Sequence, residues 1–229
     1  LPRLDHVALH VADRAAFADV LVDTLDVSVL ERTERFTLLG AHPDHGKLTL
    51  LDAVDDRAPA STRIVSLVLA ESPGADTPPP IVLEGGLVIT FVGVDELGPG
   101  WVGTPRHALV GVTLRCVDPP LAAAALEALH GMHVEVVTPD HAMLDVGDLD
   151  AHGRLTLTRE DWRADDRAAM LDHVGVRVDD ALVSRQRFEQ DGVDVVRWVE
   201  APHSRAVFVE GPDQLLLEFV ELTEPFAAT

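Results

Sequence analysis

Two histidines and one glutamate stand out in this chain by residue type and position. His6 lies in Leu4-Asp-His-Val-Ala-Leu-His-Val-Ala-Asp13 and His173 in Leu171-Asp-His-Val-Gly-Val-Arg-Val-Asp-Asp180, two stretches identical in six of ten columns. Glu218 interrupts the apolar run of Leu215, Leu216, Leu217, Phe219 and Val220. In a buried strand an ionised carboxylate is costly unless it is paired or bound to a cation. Two neutral imidazoles and one carboxylate can hold a divalent ion on three positions, leaving others open to water and substrate. Such an ion polarises an oxygen or engages dioxygen. Fe(II), Mn(II), Zn(II), Ni(II) and Co(II) all suit this donor set. Taken singly, a strand histidine reads as a hydrogen-bonded core or edge residue, and Glu218 as the partner of Arg177 or Arg205. Two histidines at matching places of a repeat, with an acid in the matching last strand, favour the metal.

The elements that must carry these residues repeat along the chain. After the first histidine strand, Asp13 is placed to cap a helix whose apolar positions are Phe17, Val20, Leu21 and Leu25. Strands follow at Val27–Arg32, Arg35–Leu39 and Lys47–Leu51, and the unit reads βαβββ. The same order returns at the C-terminal end: a strand to Val178, a helix around Asp180–Gln190, then strands at Val193–Val199, Arg205–Glu210 and Leu215–Glu221. Between them, Leu109–Val117 opens another unit, in which Asp118, Pro119 and Pro120 begin a helix over Leu121–Leu129 and Gly131 ends it. Its last strand, His152-Gly-Arg-Leu-Thr-Leu157, echoes His45-Gly-Lys-Leu-Thr-Leu50. A fourth piece has a strand at Ile64–Leu69, prolines and glycines where a helix belongs, and a final strand at Leu87–Val92. The expected architecture is therefore α+β: four βαβββ modules at 1–55, 63–97, 106–160 and 168–224, the second lacking its helix.

Aligned by spacing, the first-strand column reads His6, Ile64, Leu109 and His173. The interval of 45 residues from His173 to Glu218, applied to His6, reaches Leu51, so the last-strand column reads Leu51, Thr90, Thr158 and Glu218. Only the first and last modules offer ligands.

Composition narrows the partners. Eighteen basic against 39 acidic residues give a net charge of −21, which repels phosphate backbones and anionic lipid, so neither nucleic acid nor membrane is an expected partner. No apolar run approaches the roughly 18 residues of a membrane span, and no basic-then-apolar leader opens the sequence, which points to the cytoplasm. The single cysteine, Cys116, rules out an internal disulfide and reads as a small core residue. His42, His45, His141 and His152 fall in or near turns, where solvent is the expected environment.

The repeat, the Leu-Asp-His-Val opening and the ending Gly211-Pro-Asp-Gln-Leu-Leu-Leu-Glu218 resemble the vicinal oxygen chelate superfamily, which includes glyoxalases, bleomycin-resistance proteins and extradiol dioxygenases. The resemblance covers nearly the whole chain and is weakest over 63–105. It implies that paired modules curve into cup-like half-barrel sheets, with His6, His173 and Glu218 on ligand positions for one divalent metal. Only pairing of modules one and four gathers all three, either within one chain or by exchange of modules between two chains. Two departures bear on the chemistry. Glyoxalase I enzymes use a fourth protein ligand where Leu51 stands by this spacing, and Asp52 could replace it only through a strand bulge. Type I extradiol dioxygenases place a tyrosine at the site, and this chain has none.

Four further residues are candidates by position: His10 as an acid/base and Arg177, Arg205 and His203 as substrate contacts, with a solvent-facing place at the strand end as the alternative for each. The implied function is a metal-dependent enzyme, monomer or homodimer, acting on a small oxygen-chelating substrate by dioxygenation or by lyase or isomerase chemistry. The competing readings are a metal-free sequestration protein of the resistance type and a scaffold with vestigial ligands.

Overall fold

Asp13, Asp118 and Asp180 each begin a helix in the same way, with extended backbone and a carboxylate accepting from amides of the first turn. A cap of this kind contributes about 1 kcal/mol and fixes where the chain leaves its strand. The computed structural model describes residues 2–53, 63–98, 101, 103–129, 131–147, 153–160 and 170–224. The expected joints at 55–61 and 161–167, and His152, lie outside them.

In chain order the elements are β1 (Arg3–Val11), α1 (Arg14–Leu25), β2 (Ser28–Arg32), β3 (Phe36–Gly40) and β4 (Lys47–Asp52), then β5 (Ile64–Glu71), β6 (Ile81–Val82), β7 (Val88–Gly93) and α2 (Val94–Leu97). They continue with β8 (Leu109–Cys116), α3 (Pro119–Glu127), β9 (Met132–Thr138), β10 (His141–Val146) and β11 (Arg154–Arg159), and finish with β12 (Leu171–Arg177), α4 (Ala181–Gln190), β13 (Val195–Ala201), β14 (Ser204–Glu210) and β15 (Leu216–Leu222). Between β5 and β7 stand only the two-residue β6 and a short 3-10 turn at Glu84–Gly86, so this module lacks its helix, as its prolines and glycines led one to expect.

Two sheets result. One has eight strands in the order β13-β14-β15-β12-β1-β4-β3-β2, and the other has seven in the order β6-β7-β5-β8-β11-β10-β9. The first and last parts of the chain thus share a sheet through the antiparallel pair β1 and β12, and the middle parts share the other through β5 and β8. Each central strand is flanked in parallel by the last strand of its own module. A continuous apolar core joins both sheets to α1, α3 and α4. Of the four apolar positions expected to face the sheet from α1, Phe17, Leu21 and Leu25 are buried, together with Ala18, while Val20 is exposed; α3 buries Ala122, Ala123 and Leu126, and Leu121 faces solvent.

Cross-strand register bears directly on function. In the eight-stranded sheet the β1–β12 ladder slips twice, once beside Asp5 and once beside Asp172. In the seven-stranded sheet the β5–β8 ladder slips at the corresponding places, beside Val65 and Val110. These bulges belong to the fold, because they recur where no charged residue stands.

Candidate metal centre

Register, rather than residue count, fixes which positions correspond. His6 lies opposite Gly175, which is flanked by Glu218; His173 lies opposite Ala8, which is flanked by Thr49. In the other sheet Ser66 lies opposite Thr113, flanked by Thr156, and Gly111 lies opposite Val68, flanked by Thr90. The first-strand column is therefore His6, Ser66, Gly111 and His173, not one with Ile64 and Leu109. The last-strand column is Thr49, Thr90, Thr156 and Glu218, which replaces Leu51 and Thr158. The interval from Ala8 to Thr49 is two residues shorter than that from Gly175 to Glu218, and this difference displaced the count. Asp52 does not replace the missing ligand: β4 runs beside β1 without a bulge, and its carboxylate meets Arg14 at 3.4 Å.

Within one chain, His6, His173 and Glu218 come together. His6 Nε2 is 2.9 Å from His173 Nε2 and 3.0 Å from Glu218 Oε2, and His173 Nε2 is 3.1 Å from the same oxygen. Both histidines are buried. Among the described residues this is the one group of three His, Cys, Asp or Glu side chains able to share an ion. The strand opposite makes the approach possible: a Cβ on Gly175 would fall 2.5 Å from His6 Nδ1 and 2.9 Å from its Nε2. On the other side the His173 ring stands edge-on to Phe208, with centroids 5.3 Å apart.

The bulges turn an aspartate toward each histidine, although adjacent strand residues ordinarily face opposite ways. Asp5 Oδ2 lies 2.9 Å from His6 Nδ1, and Asp172 Oδ2 lies 2.5 Å from His173 Nδ1. A carboxylate only accepts, so each Nδ1 carries the proton and each Nε2 lone pair points at Glu218. Three acceptors 3 Å apart repel one another unless a cation or a proton lies between them. With protons alone, burial opposes charge on His6, but hydrogen bonds to Asp5 and Glu218 outweigh it and raise the imidazole to about 9. Burial likewise opposes the Glu218 anion, and His173 and His6 override it, holding the carboxyl down to about 2. Asp5, despite burial, is held well below the usual carboxylate range by Lys47 and His6. Asp172 is held low against burial by His10 and His173.

The distances fit a metal. Ligand bonds of about 2.1 Å meeting at right angles place donor atoms about 3.0 Å apart, whereas tetrahedral angles place them about 3.4 Å apart. His6, His173 and Glu218, 2.9–3.1 Å apart, stand close enough to share one such ion.

A cavity of about 600 Å³ opens over this set. Phe36, Leu38, Leu51, Val220 and Leu222 supply its apolar walls, and Thr49 stands across from Glu218. The hairpin tips carrying Glu34 and Arg35 on one side and Pro202 and His203 on the other contribute to the lining. Of the four further candidates only His203 is in the lining, with its Nδ1 3.1 Å from Glu224. Arg177 lies at the far end of β12, opposite Arg3, and its Nη1 is 3.6 Å from Asp44. Arg205 alternates with the inward-facing Ala206 and so turns outward, opposite Glu200 and Glu221. His10 sits at the solvent end of β1 and bonds Asp172 and the Asp52 carbonyl instead of the cavity. Asp5, Asp172, Lys47 and Thr49 were missed. The Asp-His doublet, repeated in both copies of the motif, was the available signal for the first two.

No family model matches the sequence, and no curated protein does either. Solved structures do. The chain is similar to a putative dioxygenase from Bacillus subtilis at 16% identity and a TM-score of 0.72, over 98% of this chain and 86% of that one. It is similar to glyoxalase I from Zea mays at 14% identity and a TM-score of 0.68, over 96% of this chain and 92% of that one. The likeness shows that this chain shares the α+β fold of these two proteins.

Proposed function

We propose that the chain is a metal-dependent enzyme in which His6, His173 and Glu218 hold one divalent ion at the floor of the cup, and that it acts on a small oxygen-chelating substrate. The observation that carries this reading is the convergence of two imidazole lone pairs and one carboxylate within 3.1 Å, both Nδ1 protons being committed to aspartates. When bound, a divalent ion supplies Lewis-acid polarisation of a substrate oxygen and, if redox-active, electrons for dioxygen chemistry. The chain's own part is positional. The apolar walls exclude water and seat the carbon frame of the substrate, while the three donors leave the side toward the cavity open to its oxygens. Thr49, at the fourth place, offers a neutral hydroxyl where a carboxylate would close the set.

A three-donor face favours dioxygenation. Lyase or isomerase chemistry, which moves a proton next to a carbonyl, is the second reading, and Glu31 and Glu34 in the cavity lining are its available bases. Sequestration of a flat ligand is less favoured, since among the described residues Phe36 is the only Phe, Trp or Tyr in the lining.

Elemental analysis of protein purified without a polyhistidine tag tests the site. About one ion per chain is expected, and His173→Ala should lose it. Stoichiometric metal retained by that variant would overturn the assignment.

A further inference from the structure

Each aspartate of the Asp-His doublets spends one oxygen on its own histidine and has another to offer. Asp5 Oδ1 receives the Lys47 ammonium at 2.8 Å. Asp172 Oδ1 receives His10 Nε2 at 2.9 Å. The outer groups differ in type and origin. Lys47 opens β4, its side chain is 1% exposed, and its Nζ also donates to the Pro43 carbonyl at 3.1 Å. His10 is on β1 and partly buried, with Nδ1 3.0 Å from the Asp52 carbonyl oxygen. A carbonyl and a carboxylate can only accept, so both ring nitrogens of His10 donate and the ring is an imidazolium. His10 therefore stands to Asp172 as the lysine ammonium stands to Asp5.

We propose that Lys47 and His10 are positioning residues, the outer cations of two parallel relays, Lys47–Asp5–His6 and His10–Asp172–His173, that anchor both site imidazoles through Nδ1–H and aim Nε2 into the cup. The effect on metal affinity rests on the metal reading above; the effect on the imidazole protons does not. A carboxylate on Nδ1–H orients the ring and makes Nε2 a stronger donor. Alone and buried, that carboxylate would be left uncompensated. A cation on its second oxygen keeps it ionised and holds its plane. With both site imidazoles neutral, as ligation of an ion requires, Asp5, Asp172 and Glu218 set against Lys47 and His10 leave one negative charge facing that ion. Where the other sheet has the same bulges, Val65 and Val110 occupy the aspartate positions and neither relay can form.

The test is nitrogen-15 histidine NMR of the metal-free chain, following the Nδ1–H protons of His6 and His173, with the affinity for Zn(II) measured separately. Lys47→Met should move or broaden the His6 signal alone, and His10→Phe the His173 signal alone. Each should weaken Zn(II) binding by about 10–100-fold. Lys47→Arg, which restores a buried cation, should recover much of that loss. If neither substitution disturbs its own histidine, or if each disturbs both alike, the relays are wrong. If Lys47→Met does not fold, the partly exposed His10 decides by the same criterion. Signals that respond as expected in a chain that binds no Zn(II) would sustain the relays and overturn the metal reading.

Discussion

Val65 and Val110 occupy, in the seven-stranded sheet, the bulge positions that Asp5 and Asp172 occupy in the eight-stranded one, and Ser66 and Gly111 stand where His6 and His173 stand. The backbone is the same device twice. In one sheet it carries two carboxylates, two imidazoles and a glutamate; in the other it carries valine, serine, glycine and threonine. The bulges thus form without the site, and the site uses a distortion that the fold supplies anyway. What differs beyond those side chains is space. Gly175, whose counterpart is Thr113, leaves room for the His6 ring to lie against the opposing strand.

The sharpest way to break this contrast without replacing His6, His173 or Glu218 is Gly175→Ala. The added methyl would sit 2.9 Å from His6 Nε2 and push the ring out of line. Metal affinity should fall by about 10–100-fold, as for other losses of ligand support, while far-ultraviolet circular dichroism stays unchanged. Unaltered affinity in a competition titration would show that the close approach does not matter.

A smaller effect, in the opposite direction, is expected from Thr49→Glu. It places a carboxylate at the position symmetric to Glu218. The metal-free variant should melt below the parent because two buried acids repel. Adding metal should raise its melting temperature by more than it raises the parent's, since tighter binding at equal ligand stabilises by RT ln(1 + [L]/Kd). An equal rise in both proteins would mean that the fourth position does not reach the ion.

The smallest effect concerns a carboxylate outside the cup. Glu71, on β5, is buried, which opposes its charge, yet the Arg106 guanidinium at 2.7 Å and the Ser72 amide at 2.8 Å outweigh burial and hold its carboxyl below the ordinary 4.5. A depressed folded value means that the stabilisation is present above the unfolded value and is lost as the pH falls through the folded one. The urea midpoint of Glu71→Gln should therefore trail the parent at pH 7, and the gap should narrow below about pH 4.5. A gap independent of pH would assign the loss to packing alone.

Much of this was legible in the residues. The duplicated Leu-Asp-His-Val stretch is visible because identical residues mark identical positions, and Glu218 is visible because a charge in an apolar run is costly to bury. The missing helix between β5 and β7 is legible in its prolines and glycines. Register was not. A two-residue difference in the segments joining first and last strands moved the counterpart of Glu218 from Leu51 to Thr49, and no local pattern records such a difference. The bulges were equally silent. Strict alternation sends Asp5 and Asp172 away from the cup, so their bonds to His6 and His173 could not be inferred. His10 and Arg177 share a face with His6 and His173 by count, yet strand length carries both past the cavity, and Arg205 alternates outward.

The sequence by itself determined that two distant copies of one strand carry histidines and that a lone acid accompanies one of them, because residue type and repetition are local properties of the chain. Only the tertiary structure decided that β1 and β12 pair, that their bulges turn Asp5 and Asp172 inward, and that Lys47 and His10 close on those carboxylates. Those facts depend on cross-strand register and on contacts between residues more than 40 positions apart. Such contacts form only when the whole sheet has assembled.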